Sequence, residues 1–228
     1  MKRTIFFATG IFAIALAFAI FNFNTTSNAS TFAGFADKFN SQAVDTEPQT
    51  DETAGAYNFD RAHTYIGFRI KHFGLNEIPG AFRDFNGTIN YEPKEVTKSS
   101  VEFSAKVTSI DTGIAPRDNH LRTADFFEVE KFPDMTFKST KVEKKGKNLL
   151  VTGDFTLKGI TKQITIPFTM LGVIKDGRGN MHIGIAATTM LNRQDYGVKW
   201  SQKLDNGSLA VDDMVKVDLQ IDAAMKKK

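Results

Sequence analysis

Apolar and polar residues alternate over most of residues 57–224. In one segment Ile66, Phe68 and Ile70 fall on one face, while Arg69 and Lys71 fall on the other. A repeat of two residues is typical of a β-strand that buries one face. The same alternation recurs in five further segments: Phe85–Tyr91, Val101–Val107, Val151–Leu157, Ile164–Met170 and Val215–Ile221. With the less regular segments Met135–Val142 and Ile183–Leu191, the pattern predicts about eight strands.

Turn signals separate these segments and favour antiparallel neighbours. Lys145-Gly146, Asp176-Gly177 and Asn206-Gly207 are typical of hairpin turns. Strands with one apolar face can hide it in an antiparallel sandwich or a barrel, and closing a barrel also removes the exposed sheet edges. Pro167 lacks a backbone donor, so its strand is expected to be an edge or locally broken there.

One stretch, Pro116–Pro133, breaks the alternation. Asp118–Leu121 is typical of a helical turn, and Phe126-Phe127 follows on a connection between two strands. The predicted fold class is therefore all-β, with a short helical insertion.

The N-terminus has the pattern of an export signal. Lys2 and Arg3 precede an uncharged apolar run from Ile5 to Phe21, and small residues follow at Ser27-Asn28-Ala29. We predict a signal peptide over residues 1–29 that is cleaved after Ala29, and hence a periplasmic protein. The alternative is an uncleaved transmembrane anchor, because the run approaches the roughly 20 residues that span a bilayer.

Residues 30–56 are predicted to be a flexible acidic tether, and residues 57–228 a single folded domain. The tether ends in the polar sequence EPQTDETAGA, and Phe32, Phe35, Ala36 and Phe39 before it share one face of a short helix. Those apolar residues belong either to a fraying segment or to an amphipathic piece that touches a membrane or a pocket mouth.

Composition excludes several classes of function. The chain has no Cys, which rules out disulfides, a thiolate nucleophile and Cys-ligated zinc. Residues 57–228 carry 26 basic and 21 acidic residues but no basic stripe interleaved with aromatics, so nucleic acid is not an expected partner. Twelve of the 21 Phe residues also lie in this segment, where they either fill a core or line a channel.

Several segments, taken in order, resemble the YceI-like family. The most specific block is Arg117-Asp118-Asn119-His120-Leu121, followed by Asp125-Phe126-Phe127 and Lys131-Phe132-Pro133. The other matching segments are His72-Phe73-Gly74, Gly80-Ala81-Phe82, Ile110-Asp111-Thr112-Gly113, Gly153-Asp154-Phe155-Thr156 and Asn192-Arg193-Gln194-Asp195-Tyr196-Gly197. Lys158 stands where the family usually has His, so no role is carried over to that position.

The resemblance implies an eight-stranded antiparallel lipocalin-like β-barrel that holds an extended isoprenoid chain, either a quinone or a polyprenyl phosphate. With the strand pattern, it gives fourteen candidate ligand-binding residues: Phe68, Ile70, His72, Phe82, Phe85, Phe103, Arg117, His120, Phe126, Phe127, Phe137, Phe155, Phe168 and Arg193. An eight-stranded barrel is wide enough either to be filled by its own side chains or to hold one slim ligand.

The polar candidates have two interpretations. Arg117, Asp118 and His120 could brace the helical turn, with Asp118 pairing to an arginine across the barrel end. Alternatively, Arg117 or Arg193 could meet a phosphate or quinone oxygen at the mouth. His72 lies on the apolar side of its strand, where it could be satisfied by backbone or Asp or could contact the ligand.

We therefore predict a carrier with no enzymatic activity, no cofactor and no metal. The alternatives are a carrier of fatty acids or fatty amides, an accessory to membrane electron transfer through bound quinone, and a metal-assisted hydrolase. The predicted partners are the isoprenoid ligand, a membrane in transient contact, a membrane cytochrome and a second copy of the chain in a homodimer.

Overall fold

The computed structural model describes residues 51–205 and 207–225. Eleven strands form one antiparallel sheet: β1 (Gly55–Phe59), β2 (Tyr65–His72), β3 (Asn76–Phe82), β4 (Phe85–Tyr91), β5 (Ser100–Lys106), β6 (Ile110–Asp111), β7 (Asp134–Lys145), β8 (Asn148–Leu157), β9 (Ile160–Lys175), β10 (Met181–Asn192) and β11 (Val211–Met225). The described α-helix is α1 (Ala115–Arg122), and short 3-10 turns cover Asp51–Thr53, Val96–Lys98, Val107–Ser109 and Arg193–Tyr196.

The first six strands act as three bent strands. β1 and β2 both pair with β11, and β3 and β4 continue one another alongside them. β5 pairs with β4 and β6 pairs with β3, so the 3-10 turn Val107–Ser109 bends a single strand there. With β7 to β11 these make eight strands in chain order, and the β1–β11 pairing closes them. The predicted eight-stranded antiparallel barrel with a short helix is confirmed.

The barrel begins two residues earlier than the predicted boundary at residue 57. Gly55 pairs with Tyr91 and Ala56 pairs with Asn90, so both belong to β1 rather than to a tether. The sequence pattern did not predict this pairing, because Gly55 and Ala56 show no apolar repeat. Backbone hydrogen bonds form regardless of side-chain character. The predicted signal peptide and residues 30–50 of the predicted tether lie outside the described residues.

The breaks in the strand pattern have visible causes. Pro167 pairs with Leu150 of β8, and the ladder between β9 and β10 ends at Phe168, so the missing donor of Pro167 falls beside an unpaired stretch. The helix α1 begins after Ile114 with Pro116 in its first turn, where the missing N–H breaks no helical bond. It is longer than the single turn predicted at Asp118–Leu121.

The order of the strands defines two ends of the barrel. The β2–β3 hairpin, the start of β11 and the end of β10 lie together, because His72 pairs with Val211 and Asn192 pairs with Met214. We call this the helix end, since α1 leaves β6 on that side. The β9–β10 hairpin lies at the opposite end.

Candidate functional site

The barrel encloses a cavity of about 300 Å³. Its wall runs from Val96 and Ser100 at the end opposite α1 to Arg117 and Val198 at the helix end. Alternate positions of the strands supply much of the lining, for example Ile66, Phe68 and Ile70 from β2, Ile164, Ile166, Phe168 and Met170 from β9, and Val215, Val217, Leu219 and Ile221 from β11. The two-residue repeat of the sequence therefore becomes a hydrocarbon wall.

Two glycines let aromatic rings lie flat against the cavity wall. An ideal Cβ on Gly80 would lie 2.3 Å from Cζ of Phe68, and one on Gly87 would lie 2.5 Å from Cε2 of Phe59. Phe68 and Gly80 are direct cross-strand partners. A side chain at either glycine would push a ring into the cavity, so these glycines help to set its width.

Eleven of the fourteen predicted residues line the cavity: Phe68, Ile70, Phe82, Phe103, Arg117, Phe126, Phe127, Phe137, Phe155, Phe168 and Arg193. Phe85 is 3% exposed but packs in the core, with the guanidinium carbon of Arg61 6.0 Å from its ring centre. His72 and His120 also lie away from the cavity wall. Ligand contact by any of these residues stays a prediction.

His72 is exposed because β2 ends there. It pairs with Val211 and Asn76 at the helix end, and its ring centre lies 3.8 Å from that of Phe73. The apolar side of a strand faces the interior only while other strands continue opposite it, and at the last residue of β2 the barrel wall has ended.

The helix α1 is braced by Thr112. Asp118 is buried, and its Oδ1 accepts hydrogen bonds from N and Oγ1 of Thr112, at 2.9 and 2.5 Å. Arg117 donates from Nε to Oγ1 of Thr112 at 2.7 Å and from Nη2 to its carbonyl at 2.8 Å. Both residues thus brace the helix as expected, but the partner of Asp118 is Thr112 and not an arginine across the barrel end.

Arg117 keeps one side of its guanidinium available. The residue is half-buried and lines the cavity. In the part of the chain that the structure describes, no hydrogen bond or ion pair engages its Nη1. A cation beside an apolar cavity, without a carboxylate partner, is placed to meet an anionic or strongly polar group.

Three aromatic rings, Phe126, Trp200 and His120, pack together at the helix end, and Phe126 among them lines the cavity. We call them the aromatic cover. The indole of Trp200 lies 5.3 Å from the ring of Phe126, and the ring of His120 meets both edge-on, at 5.9 and 5.0 Å between ring centres. Nε2 of His120 lies 2.8 Å from Oδ2 of Asp125. His120 therefore positions the ring that lines the cavity, Phe126, without lining it itself.

Lys158 holds the same segment. Its Nζ donates to the carbonyls of Phe126 and Ala124, at 2.6 and 3.2 Å. It does so from a left-handed backbone conformation with φ of 49°. The position to which the sequence assigned no role therefore anchors the aromatic cover.

Arg193 is a buried structural cation. Its side chain is only 5% exposed, and Nη2 lies 2.8 Å from Oδ1 of Asp213. Its other donors bind the carbonyls of Asp212, Val198 and Trp200 at 2.7–2.8 Å. Burial lowers the pKa of Arg193, and the charge of Asp213 opposes that shift. Because its donors are used by the protein, Arg193 is poorly placed to bind a headgroup.

Some cavity residues escaped the sequence analysis. Ile78 and Val198 line the helix end, and Leu121 lines it from α1. Tyr196 packs edge-on against Phe155, and burial raises the pKa of its phenol. Ile78 lies on a strand without a clear two-residue repeat, and the other three lie on α1 or in the turns after β10, so no periodic signal in the sequence marked them.

Two histidines lie on the outside of the barrel near β11, His63 in the turn between β1 and β2 and His182 on β10. Nδ1 of His182 lies 2.8 Å from Oδ1 of Asp222, and Nδ1 of His63 lies 2.7 Å from Oδ2 of Asp60. The hydrogen bond to Asp222 raises the pKa of His182, and the bond to Asp60 raises that of His63. The two pairs lie away from the cavity, beside the contacts that β10 and the turn between β1 and β2 make with β11. We call this part of the outer surface the seam.

Residues 51–205 and 207–225 contain no group of three or more His, Asp or Glu side chains arranged to hold a metal ion. Over the same residues, no helix is both long and apolar enough to cross a membrane.

A closed antiparallel barrel around a hydrocarbon-lined cavity, with a helix at one end, defines a lipocalin-like protein. A family model for the YceI-like domain matches residues 57–223, and the chain belongs to that family. Protein YceI of Escherichia coli O17:K52:H18 is 38% identical over 148 residues, which are 64% of this chain and 78% of that protein.

Two solved structures have the same fold. The Campylobacter jejuni YceI protein is 31% identical, with a TM-score of 0.60 over 74% of this chain and 96% of that chain. A polyisoprenoid-binding domain from Saccharophagus degradans, implicated in plant cell wall breakdown, is 16% identical, with a TM-score of 0.58 over 76% of this chain and 99% of that one.

Proposed function

We propose that this chain binds a long-chain isoprenoid lipid in the barrel cavity and carries it through the periplasm without transforming it. The observation that carries the proposal is the cavity wall, which is formed by alternate apolar residues over the length of the barrel. Such a wall offers dispersion contacts and exclusion of water to an extended hydrocarbon chain.

The magnitudes favour a role for the tail in affinity and for the headgroup in orientation. Each buried CH₂ is worth roughly 0.8 kcal/mol, so a tail of about 40 carbons carries about 30 kcal/mol before the costs of binding. That exceeds the practical ceiling of roughly 18–21 kcal/mol for non-covalent affinity. A headgroup contact is therefore not needed for tight binding.

Arg117 is the side chain best placed to orient a polar headgroup. Its free Nη1 and its position at the helix end support a phosphate or quinone oxygen at that end of the cavity. Arg193 is the weaker candidate, since it is buried and bound to Asp213 and to four carbonyls.

Export to the periplasm is proposed from the N-terminal sequence of residues 1–29. The membrane cytochrome and the homodimer stay proposals from sequence. We propose that the protein has no enzymatic activity, because the YceI family is not a known enzyme family and because most cavity-lining side chains are hydrocarbons.

The proposal is tested by titration. Trp200 is the single tryptophan and packs against Phe126, which lines the cavity, so we expect its fluorescence to report on occupancy. The delipidated protein is titrated with a polyprenyl phosphate, the matching polyprenyl alcohol and a fatty acid. We expect saturable binding of both prenyl compounds, tighter for the phosphate. Tighter binding of the fatty acid supports the fatty-acid carrier instead, and no saturable binding of prenyl compounds refutes the proposal.

A further inference from the structure

The tip of the β2–β3 hairpin exposes two large apolar side chains at the helix end. Leu75 is 87% exposed and Phe73 is 43% exposed. Two further exposed apolar residues, Ile114 and Met214, also lie at this end, each next to or within two residues of a cavity-lining residue. We call these four residues the apolar rim.

The hairpin turn is built against its local preference. N of Leu75 donates to the carbonyl of His72 at 3.0 Å, which closes a turn with Phe73 and Gly74 at its centre. Both central residues have positive φ, 56° for Phe73 and 70° for Gly74. Asn or Asp is the usual first residue of such a turn, and a bulky aromatic there is an outlier. Phe73 is thus strained and 43% exposed, and its ring packs against exposed His72 rather than in the core.

The hairpin connects the rim to the cavity. Two residues inward from the tip, Ile70 and Ile78 pair with each other, and both line the cavity. The pair between the tip and these residues is His72–Asn76, so a hydrocarbon chain that leaves an apolar phase at Leu75 passes one polar pair before it meets Ile70 and Ile78 inside the barrel.

Charges near the rim favour an anionic surface. Lys71, Lys199 and Lys203 are exposed, and no ion pair engages them among the described residues. The last two lie on the segment that receives the hairpin, since N of Phe73 donates to the carbonyl of Ala210 at 2.9 Å.

Two carboxylates at the helix end already have a cationic partner in the protein. Asp213 binds Arg193, and Asp125 binds His120. Glu77, opposite Lys71 in the hairpin, and Asp205 are the exposed carboxylates that remain near the lysines. Asp212, beside Met214 of the rim, is half-buried, and its Oδ1 accepts a hydrogen bond from N of Met214. The three exposed lysines therefore outnumber the two exposed carboxylates, and lysines beside an inserted apolar tip strengthen adsorption to anionic lipid.

We propose that the apolar rim docks on an anionic phospholipid bilayer, with Phe73 and Leu75 inserted, so that the cavity opens towards the lipid. This inference extends the proposed function by naming where the ligand enters. It can fail independently, because vesicle binding measures the outer surface and the Trp200 titration measures the cavity.

The test is vesicle flotation of residues 51–228, which contain every strand of the closed barrel and leave out the apolar residues of the N-terminus. Vesicles contain equal parts phosphatidylcholine and phosphatidylglycerol, or phosphatidylcholine alone. We expect binding to the mixed vesicles that weakens with salt, and a loss of about tenfold in partitioning for Leu75→Ser.

Two further variants make the test specific. Phe73→Asn places a preferred residue in the turn, so it should keep the melting temperature and still weaken vesicle binding. Ile174→Ser is the matched control, because Ile174 is 57% exposed on β9 at the opposite end. It should bind vesicles as the unchanged barrel does.

Three results would overturn the proposal. The barrel could fail to bind the mixed vesicles, or Leu75→Ser and Phe73→Asn could bind as well as the unchanged barrel. Finally, sedimentation could show a dimer that Leu75→Ser converts to monomer, with no change in vesicle binding. The rim would then be an interface between two copies of the chain.

Discussion

Replacing Arg193 by Met separates bracing from headgroup binding. Met keeps an unbranched side chain but removes the guanidinium, which leaves the carbonyls of Asp212, Val198 and Trp200 without their donor. Asp213 loses its cation and keeps the hydrogen bond from Nε2 of Gln194. Breaking a buried ion pair by removing one partner typically costs roughly 3–5 kcal/mol. Because Asp213 is 33% exposed and can be partly rehydrated, we expect a loss of about 3 kcal/mol in the free energy of unfolding.

The free energy of unfolding is measured by urea titration, with far-UV circular dichroism as the probe. A loss of about 3 kcal/mol corresponds to a fall in melting temperature of roughly 6–12 °C for a domain of this size. Arg117→Met is the matched control, because Arg117 is half-buried and binds only Thr112. It should cost about 1 kcal/mol.

Ligand titration of the same two variants completes the comparison. Arg193→Met, under conditions where it is folded, should still prefer a prenyl phosphate to a prenyl alcohol, and Arg117→Met should lose that preference by about tenfold. The reasoning is refuted if Arg193→Met stays within 1 kcal/mol of the unchanged protein. It is also refuted if Arg193→Met, and not Arg117→Met, abolishes the preference for phosphate.

Other predictions concern the wall, the aromatic cover and the seam. Gly80→Ala should push the ring of Phe68 into the cavity and lower the affinity for a prenyl alcohol in the fluorescence titration. Gly177→Ala is the control, because its Cβ would meet nothing within 4 Å, and it should leave that affinity unchanged. Equal affinities of the two variants would contradict the cavity geometry. Lys158→Met should free the two carbonyls that it holds and speed ligand dissociation in stopped-flow displacement; an unchanged rate would remove its anchoring role. The pKa of His182 is raised in the folded state, so its stabilisation is present below the ordinary value of 6.5 and is lost as the pH rises through the folded value. The unfolding free energy of the unchanged protein should therefore exceed that of His182→Gln most below pH 6.5, with a difference that shrinks as the pH rises above 6.5 and through the raised pKa; a constant difference would exclude the titration.

Much of the fold could be predicted from the sequence, because a strand with one buried face imposes a two-residue repeat. Ile164, Ile166, Phe168 and Met170 share a side in the sequence and line the cavity in the structure. The bends were not predictable in the same way. Backbone pairing, which side-chain type does not encode, makes β3 continue into β4 around residues 83–84.

The site was less predictable than the fold. The sequence placed Arg117 and Arg193 in the same class, and only their partners distinguish a cation with a free Nη1 from one whose donors are used. His72 has the side-chain parity of an inward residue, yet it lies outside the cavity because its strand ends there. Periodicity tells which side a residue is on, and it does not tell where along the barrel the wall stops.

The presence of an isoprenoid in the barrel is the central claim, and a mass spectrum tests it most directly. The protein is expressed with its own N-terminus, purified without detergent and extracted with organic solvent. A variant with Gly80→Ala, which narrows the cavity, is extracted in parallel as the control. The account predicts a series of lipids that differ by single isoprene units, in lower yield from the variant. Fatty acids alone, or the same lipids in equal yield from both proteins, would contradict it.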